Sequence, residues 1–207
     1  MDRHVTLFHS PRTRSSTVRA LLEELGASYD LHVLDMKKNE QHEPAYLAIN
    51  PMGKVPAIRH GDTIVTEQPA IVLYLADLYA DAGLAPAIGD PLRGAYLRWT
   101  VFYGSSFEPA VIDRSMQREP AQRAASPYGD YDTMLGALTQ QLRKGPYLLG
   151  ERFSAADVLW ASALGWTTAF KLVPELPEIG AYMQRVNSRP AMTRARSLDA
   201  TLVESMA

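Results

Sequence analysis

The chain has 207 residues, enough for one large domain or two small ones, and 46% of them are apolar, sufficient for a proper core. A net charge of −2 with acids and bases interspersed offers no basic stripe for nucleic acid and no acidic tail, so a small, roughly neutral partner is expected. With no cysteine, disulfides, thiolate metal sites and a cysteine nucleophile are excluded together, and any thiol chemistry must use a partner's sulfur.

The opening MDRHVTLF runs directly into a strand-like stretch, with no basic segment, long apolar run and cleavage site. The longest apolar runs, such as AIVLYLA, fall far short of the roughly 20 residues of a membrane span, and a soluble, cytoplasmic protein is expected. Val5 to His9 reads as a strand, followed by the polar loop SPRTRSS. Val18, Leu21, Leu22 and Leu25 then recur at i, i+3, i+4 and i+7, one face of a helix, and Gly26 stands where a helix end requires it. Tyr29, Leu31 and Val33 alternate with polar neighbours, giving a second strand and a βαβ unit with parallel strands.

A loop from Asp35 to Lys54 leads to two extended runs, Val55 to His60 and Thr63 to Thr66, joined by Gly61 and Asp62 as a hairpin turn. Pro56, second in the first run, has no N–H for a ladder and is unusual inside a strand. From Glu67 the pattern becomes helical, with Pro69 in the first turn and Ile71, Tyr74, Leu75 and Leu78 forming a stripe. Residues 81–90 are rich in Ala, Gly, Pro and Asp and read as a linker between a domain at 1–80 and an all-helical domain at 91–207.

In that second part Asp90 and Pro91 resemble N-cap and N1 of a long helix through Trp99, Phe102, Tyr103 and Phe107 toward Pro109. A helix over 128–143 stops at Gly145 and Pro146. FSAADV then carries a capping box, Ser154 with Asp157, flanked by Phe153 and Val158 as a hydrophobic staple, which makes Asp157 architectural rather than catalytic. Further helices follow at 175–187 and from Ala191 onward.

The five histidines show no metal-ligand spacing, Gly53 and Lys54 lack the upstream glycine of a P-loop, and GSS at 104–106 lacks the flanking glycine of a nucleophile elbow. No metal or redox cofactor is expected. The aromatic residues of 99–107 suit a helical core, with Tyr103 and Phe107 keeping a secondary claim on a ligand pocket.

The β-α-β, β-β-α module, the linker, the helical second part, VRALLEELG, NPMGKVPAI, TEQPAIVLYL and FSAADV, in that order, resemble the glutathione transferase superfamily over essentially the whole chain. The resemblance implies an α/β N-terminal domain with a thioredoxin-like fold and an all-α C-terminal domain. It makes Pro56 a cis proline, a form rare enough to mark a purposeful turn. The Val55 backbone would then pair with the cysteinyl backbone of glutathione as an added strand. Glu67 and Gln68 would hold the γ-glutamyl end, with complementing the helix dipole as the lesser alternative for Glu67. Lys54 would meet the glycyl carboxylate unless it is simply solvated.

Family members place a tyrosine, serine or cysteine in the first loop to hold the ligand's sulfur as thiolate, a state favoured by hydrogen-bond donors, cations and helix N-termini. In HSPRTRSS neither cysteine nor tyrosine is present, which leaves the hydroxyls of Ser10, Thr13 and Ser15 and the charges of Arg12 and Arg14. The equivalent position falls at Thr13, with Ser10 second and Arg14 contributing. The resemblance further implies a homodimer and conjugation of the glutathione thiol, as co-substrate, to a small hydrophobic electrophile held near Tyr103, Phe107 and Trp166. Isomerisation, peroxide reduction or dehalogenation on the same fold, or a non-catalytic glutathione-binding regulator, are the alternatives.

Overall fold

The computed structural model describes residues 2–118 and 122–206. Strand β1 (Val5–His9) buries Val5, Leu7 and His9 on one face and Phe8 on the other, the period-two alternation of extended chain. Helix α1 (Ser15–Leu25) buries the predicted stripe and ends at Gly26, whose φ of 61° is left-handed and whose N–H returns to the Glu23 carbonyl. Strand β2 (Tyr29–Val33) lies parallel to β1 with Leu31 opposite Leu7, completing the βαβ unit.

The segment before Lys54 is more ordered than the predicted loop. Two 3-10 turns, Met36–Lys38 and Glu40–His42, lead to the short helix α2 (Pro44–Leu47). This helix seats Tyr46 in a cluster with Phe8, Leu34 and Ala57 on the sheet's second face. Four residues are too few to show a helical period in sequence.

Strands β3 (Ala57–His60) and β4 (Thr63–Val65) form the predicted hairpin, and the sheet order is β2-β1-β3-β4 with β3 antiparallel to β1. Pairing begins at Ala57, opposite Phe8, two residues later than predicted, because Pro56 has no N–H to contribute. Helix α3 (Gln68–Leu78) buries Ile71 and Leu75 as predicted, but with Val72 and Ala76 beside them; Tyr74 and Leu78 stay half-buried at the stripe's edge.

Helices α4 (Arg93–Phe102), α5 (Glu108–Ser115), α6 (Tyr131–Leu142), α7 (Ala155–Ala169), α8 (Pro177–Asn187) and α9 (Pro190–Ser205) follow, with no strand among the described residues beyond isolated bridges at Tyr147–Gly150 and Leu149–Arg152. The long helix expected toward Pro109 is not uniform. A π-helical turn, Tyr103–Phe107, intervenes, and Pro109 falls in the first turn of α5, where its missing N–H has no bond to lose. Asp90 does accept the Leu92 N–H at 2.8 Å, although α4 starts only at Arg93.

The capping box at α7 is formed. Asp157 Oδ2 accepts from the Ser154 N–H at 2.9 Å and its hydroxyl at 3.0 Å, while Oδ1 accepts from the Leu148 N–H and the Tyr182 hydroxyl, both at 2.9 Å. Burial pushes the Asp157 carboxyl above its ordinary value, and these four donors only partly oppose it.

Contacts divide the chain into two compact units, residues up to Leu84 with those from Arg189, and Ala85–Ser188. The division expected in chain order departs from this at the last helix. Helix α9 packs on α1 and is joined to it by three ion pairs: Arg189 with Glu24 in a bidentate pair at 2.8 and 2.9 Å, Arg194 with Glu23, and Asp199 with Arg19 at 2.8 Å. Among the described residues no helix is long and apolar enough to cross a membrane.

Candidate functional site

The first unit carries a backbone edge, a helix start and a hydroxyl-bearing loop. The Val55–Pro56 bond is cis. Asn50 and Gly53 close a turn through a 2.9 Å backbone bond, and Gly53, at φ 59°, lies so near His42 that a Cβ there would sit 2.5 Å from the ring. The Lys54 carbonyl then accepts from the Tyr46 hydroxyl at 2.6 Å and the Asn50 amide at 2.8 Å, and Asn50 Oδ1 takes the Met52 N–H at 3.1 Å. These bonds hold the peptide ahead of Val55. Among the described residues no backbone hydrogen bond engages Val55, so its N–H and C=O form an unpaired edge beside β3. The Lys54 side chain is exposed.

Glu67, at φ 63° and ψ 113°, occupies a conformation that costs a non-glycine residue about 1–3 kcal/mol and that recurs at functional sites. Its carbonyl accepts the Ile71 N–H at 2.9 Å, no side chain caps α3, and its carboxylate is exposed. A helix start without a side-chain cap suits an anionic group. Gln68 is buried, and its amide donates to the Arg14 carbonyl at 3.2 Å, which ties the start of α3 to the loop ahead of α1.

In that loop Thr13 is half-buried. Its hydroxyl donates to the Ser10 carbonyl at 2.7 Å and shares a 2.8 Å bond with the Ser15 hydroxyl. Ser10 is buried and engaged through its backbone, whose N–H donates to Ser15 Oγ at 3.0 Å and whose carbonyl accepts from Ser15 Oγ at 2.9 Å. Arg12, at φ 62°, and Arg14 are exposed, and Arg14 is the N-cap of α1. Ser15, one of the three loop hydroxyls in the sequence, is fully buried and points inward to His9 Nδ1 at 2.9 Å.

Sequence reasoning weighed His9 only as a metal ligand. It is fully buried, and Nε2 lies 3.2 Å from Asp199 Oδ1. That is ion-pair distance, yet the ring N–H is poorly aimed and makes no true hydrogen bond. Burial pulls the Asp199 carboxyl upward, but the nearby His9 and Ser16 and the Arg19 hydrogen bond outweigh it and hold it below the ordinary carboxylate range. No sequence signal pairs positions 9 and 199; only the period-two alternation of β1 indicates that His9 faces inward with Val5 and Leu7.

The second unit holds the aromatic pocket candidates. Tyr103 and Phe107 are 1% and 0% exposed, and both rings pack edge-on to Trp160 at 5.9 and 4.9 Å, so they fill core. Trp166 on α7 is half-buried. Among the described residues no group of His, Asp and Glu is arranged to hold a metal.

The N-terminal part, residues 3–77, matches the family model "Glutathione S-transferase, N-terminal domain", and residues 75–190 match "Glutathione S-transferase, C-terminal domain". The chain belongs to the glutathione S-transferase family, and it is an enzyme of that type. It is 30% identical to the glutathione S-transferase GstA of Escherichia coli O157:H7, over 93% of this chain and 98% of that one. It is also 27% identical to the disulfide-bond oxidoreductase YfcG of Escherichia coli K12, over 92% and 94%. A sphingomonad glutathione S-transferase solved with glutathione superposes with a TM-score of 0.77 at 32% identity, covering 94% and 98% of the two chains.

Proposed function

We propose that this protein conjugates the thiol of reduced glutathione to small hydrophobic electrophiles. The observation that carries the reading is the presence of three elements in one unit: the unpaired Val55 edge, and the start of α3 and the Thr13 loop, which the Gln68 bond to the Arg14 carbonyl ties together. The edge suits the peptide backbone of glutathione, and the helix start with Glu67 suits the charged γ-glutamyl end. Lys54 is the group for the glycyl carboxylate. Thr13 is the hydroxyl at the sulfur, Ser10 supports it by its backbone, and Arg14 supplies positive charge.

Catalysis in this reading consists of ionising the thiol and positioning it against the electrophile, for which Trp166 remains the aromatic candidate. A homodimer and a cytoplasmic setting come with the reading, carried by the family resemblance. The relative that acts as a disulfide-bond oxidoreductase favours a second reading, a glutathione-dependent reaction in which the same thiolate attacks a disulfide or peroxide.

The test is to titrate glutathione, follow thiolate absorbance, and assay an aryl halide and a small disulfide side by side, in the parent, Thr13→Ala and Ser10→Ala. Thiolate formation with conjugation that collapses in Thr13→Ala is expected. Turnover of the disulfide alone would favour the second reading, and binding without thiol ionisation would refute both.

A further inference from the structure

We infer that His9 is the store for the glutathione thiol proton, reached through the hydroxyls of Thr13 and Ser15 and held by Asp199 of the last helix. The inference rests on the transferase reading and adds to it the destination of the proton.

The geometry is a continuous chain. Thr13 Oγ1 to Ser15 Oγ is 2.8 Å, Ser15 Oγ to His9 Nδ1 is 2.9 Å, and His9 Nε2 to Asp199 Oδ1 is 3.2 Å. Thr13 is its half-buried outer end; Ser15 and His9 are fully buried. A Ser-His-Asp set of this kind suggests a hydrolytic nucleophile, but Ser15 Oγ is enclosed by the Ser10 N–H, the Ser10 carbonyl, Thr13 and His9, which leaves it no access to a substrate. Its place is in the middle of a relay.

The tautomer follows from the partners. A carboxylate facing Nε2 requires a proton there, since a bare nitrogen would oppose it lone pair to lone pair, so the variable site is Nδ1. With Nδ1 bare, the relay forms when both hydroxyls turn from the Ser10 carbonyl, to which each can also donate, so that Ser15 donates to Nδ1 and Thr13 donates to Ser15. A thiol donating to Thr13 Oγ1 can then pass its proton inward with every hydrogen moving one place. The S–H bond breaks, the Thr13 and Ser15 O–H bonds are each exchanged, and an Nδ1–H bond forms. The electron pair stays on sulfur. The products are a thiolate accepting a hydrogen bond from Thr13 and an imidazolium donating to Ser15, with no net charge added to the site.

The charged group that faces His9 is Asp199 of α9, whose Oδ1 is shared at 2.8 Å by Arg19 of α1. Further off, beyond Arg19, Tyr29 of β2 accepts from Arg19 Nε at 3.4 Å and donates to Glu23 of α1 at 2.7 Å. The β2 residue opposite His9 is the uncharged Val33. Arg19 claims part of the Asp199 charge, and Glu23, held also by Arg194, returns negative charge behind it. The imidazolium is therefore balanced by Asp199 on one side and by the thiolate at the other end of the relay.

The experiment follows imidazole protonation and proton release together. The protein labelled with 15N-histidine is examined near neutral pH alone, with glutathione, and with S-methylglutathione, which has no thiol proton; His9→Gln assigns the resonance. Expected is conversion of His9 to the doubly protonated form with glutathione only, accompanied by thiolate absorbance and by release of much less than one proton to an indicator. In His9→Gln the same thiolate should release a full proton, with a fall of tenfold or more in kcat and little change in KM. Ser15→Ala, which keeps His9 and cuts the relay, should leave the imidazole unprotonated on binding and serves if His9→Gln does not fold. A neutral His9 beside a fully formed thiolate in the parent, with one proton released, would overturn the inference and leave the transferase reading standing. Absence of binding or of thiolate in the parent would overturn both.

Discussion

Replacing Tyr46 with Phe removes one hydroxyl from the clamp on the Lys54 carbonyl and nothing else. The hydroxyl donates at 2.6 Å from a side chain that is 3% exposed, while Asn50 supplies a second donor at 2.8 Å. A neutral hydrogen bond is worth about 0.5–1.5 kcal/mol net, and because Asn50 keeps the carbonyl partnered the loss should be near the middle, about 1 kcal/mol. If the clamp serves to hold the Val55 edge ready, that loss is met on binding and raises the KM for glutathione about fivefold with kcat unchanged, the signature of an interaction made equally in ground and transition states. Asn50→Ala, which also frees the Met52 N–H, should cost about twice as much, and the double variant more than both together, since only then does the carbonyl lose every donor. Steady-state kinetics with glutathione varied, alongside urea unfolding, measures each. A Tyr46→Phe enzyme with unchanged KM, or with its loss in kcat alone, would refute the link between this clamp and the ligand edge.

The same tyrosine gives a pH prediction. Burial pushes its phenol up to about 12 from an ordinary value of 10.0, the Asn50 bond opposing. The folded state therefore keeps a proton that the unfolded chain gives up, so this stability is complete below about pH 10 and lost as the pH rises through about 12, ~3 kcal/mol in all. Alkaline unfolding of Tyr46→Phe should lack that component. Asp157→Ala strips the partners from the Leu148 and Ser154 N–H groups and two hydroxyls, and urea unfolding should show a loss of about 3–5 kcal/mol. Arg189→Ala leaves Glu24, whose side chain is 5% exposed, without its bidentate partner; hydrogen exchange should then show α9 opening more readily, by about 1–3 kcal/mol.

Much of the architecture was legible because it is written in local period and punctuation. The stripe Val18, Leu21, Leu22, Leu25 with Gly26 behind it, the alternation of Tyr29, Leu31 and Val33, and Ser154 three residues before Asp157 each specify an element without reference to distant chain. Helix α2 escaped because it is a single turn, and the run through Pro109 escaped because a π-helical turn changes the register at which proline falls. The aromatic residues at 103 and 107 gave the right helical face and not their contacts, since periodicity reports that a ring is buried and is silent on whether it packs against Trp160.

The sequence by itself determined that a thiol must come from a partner, that the first loop offers hydroxyls and arginines, and that Pro56 interrupts a ladder at Val55. Those are statements about residue types and near neighbours, which composition and spacing carry. Only the tertiary structure decided where the hydroxyls point, that Gln68 reaches Arg14, and that the last helix belongs against the first, bringing Asp199 to His9 across nearly the whole chain. The physical reason is that hydrogen bonds and ion pairs between distant segments depend on how the elements pack, and position in sequence holds no record of which two buried faces will meet.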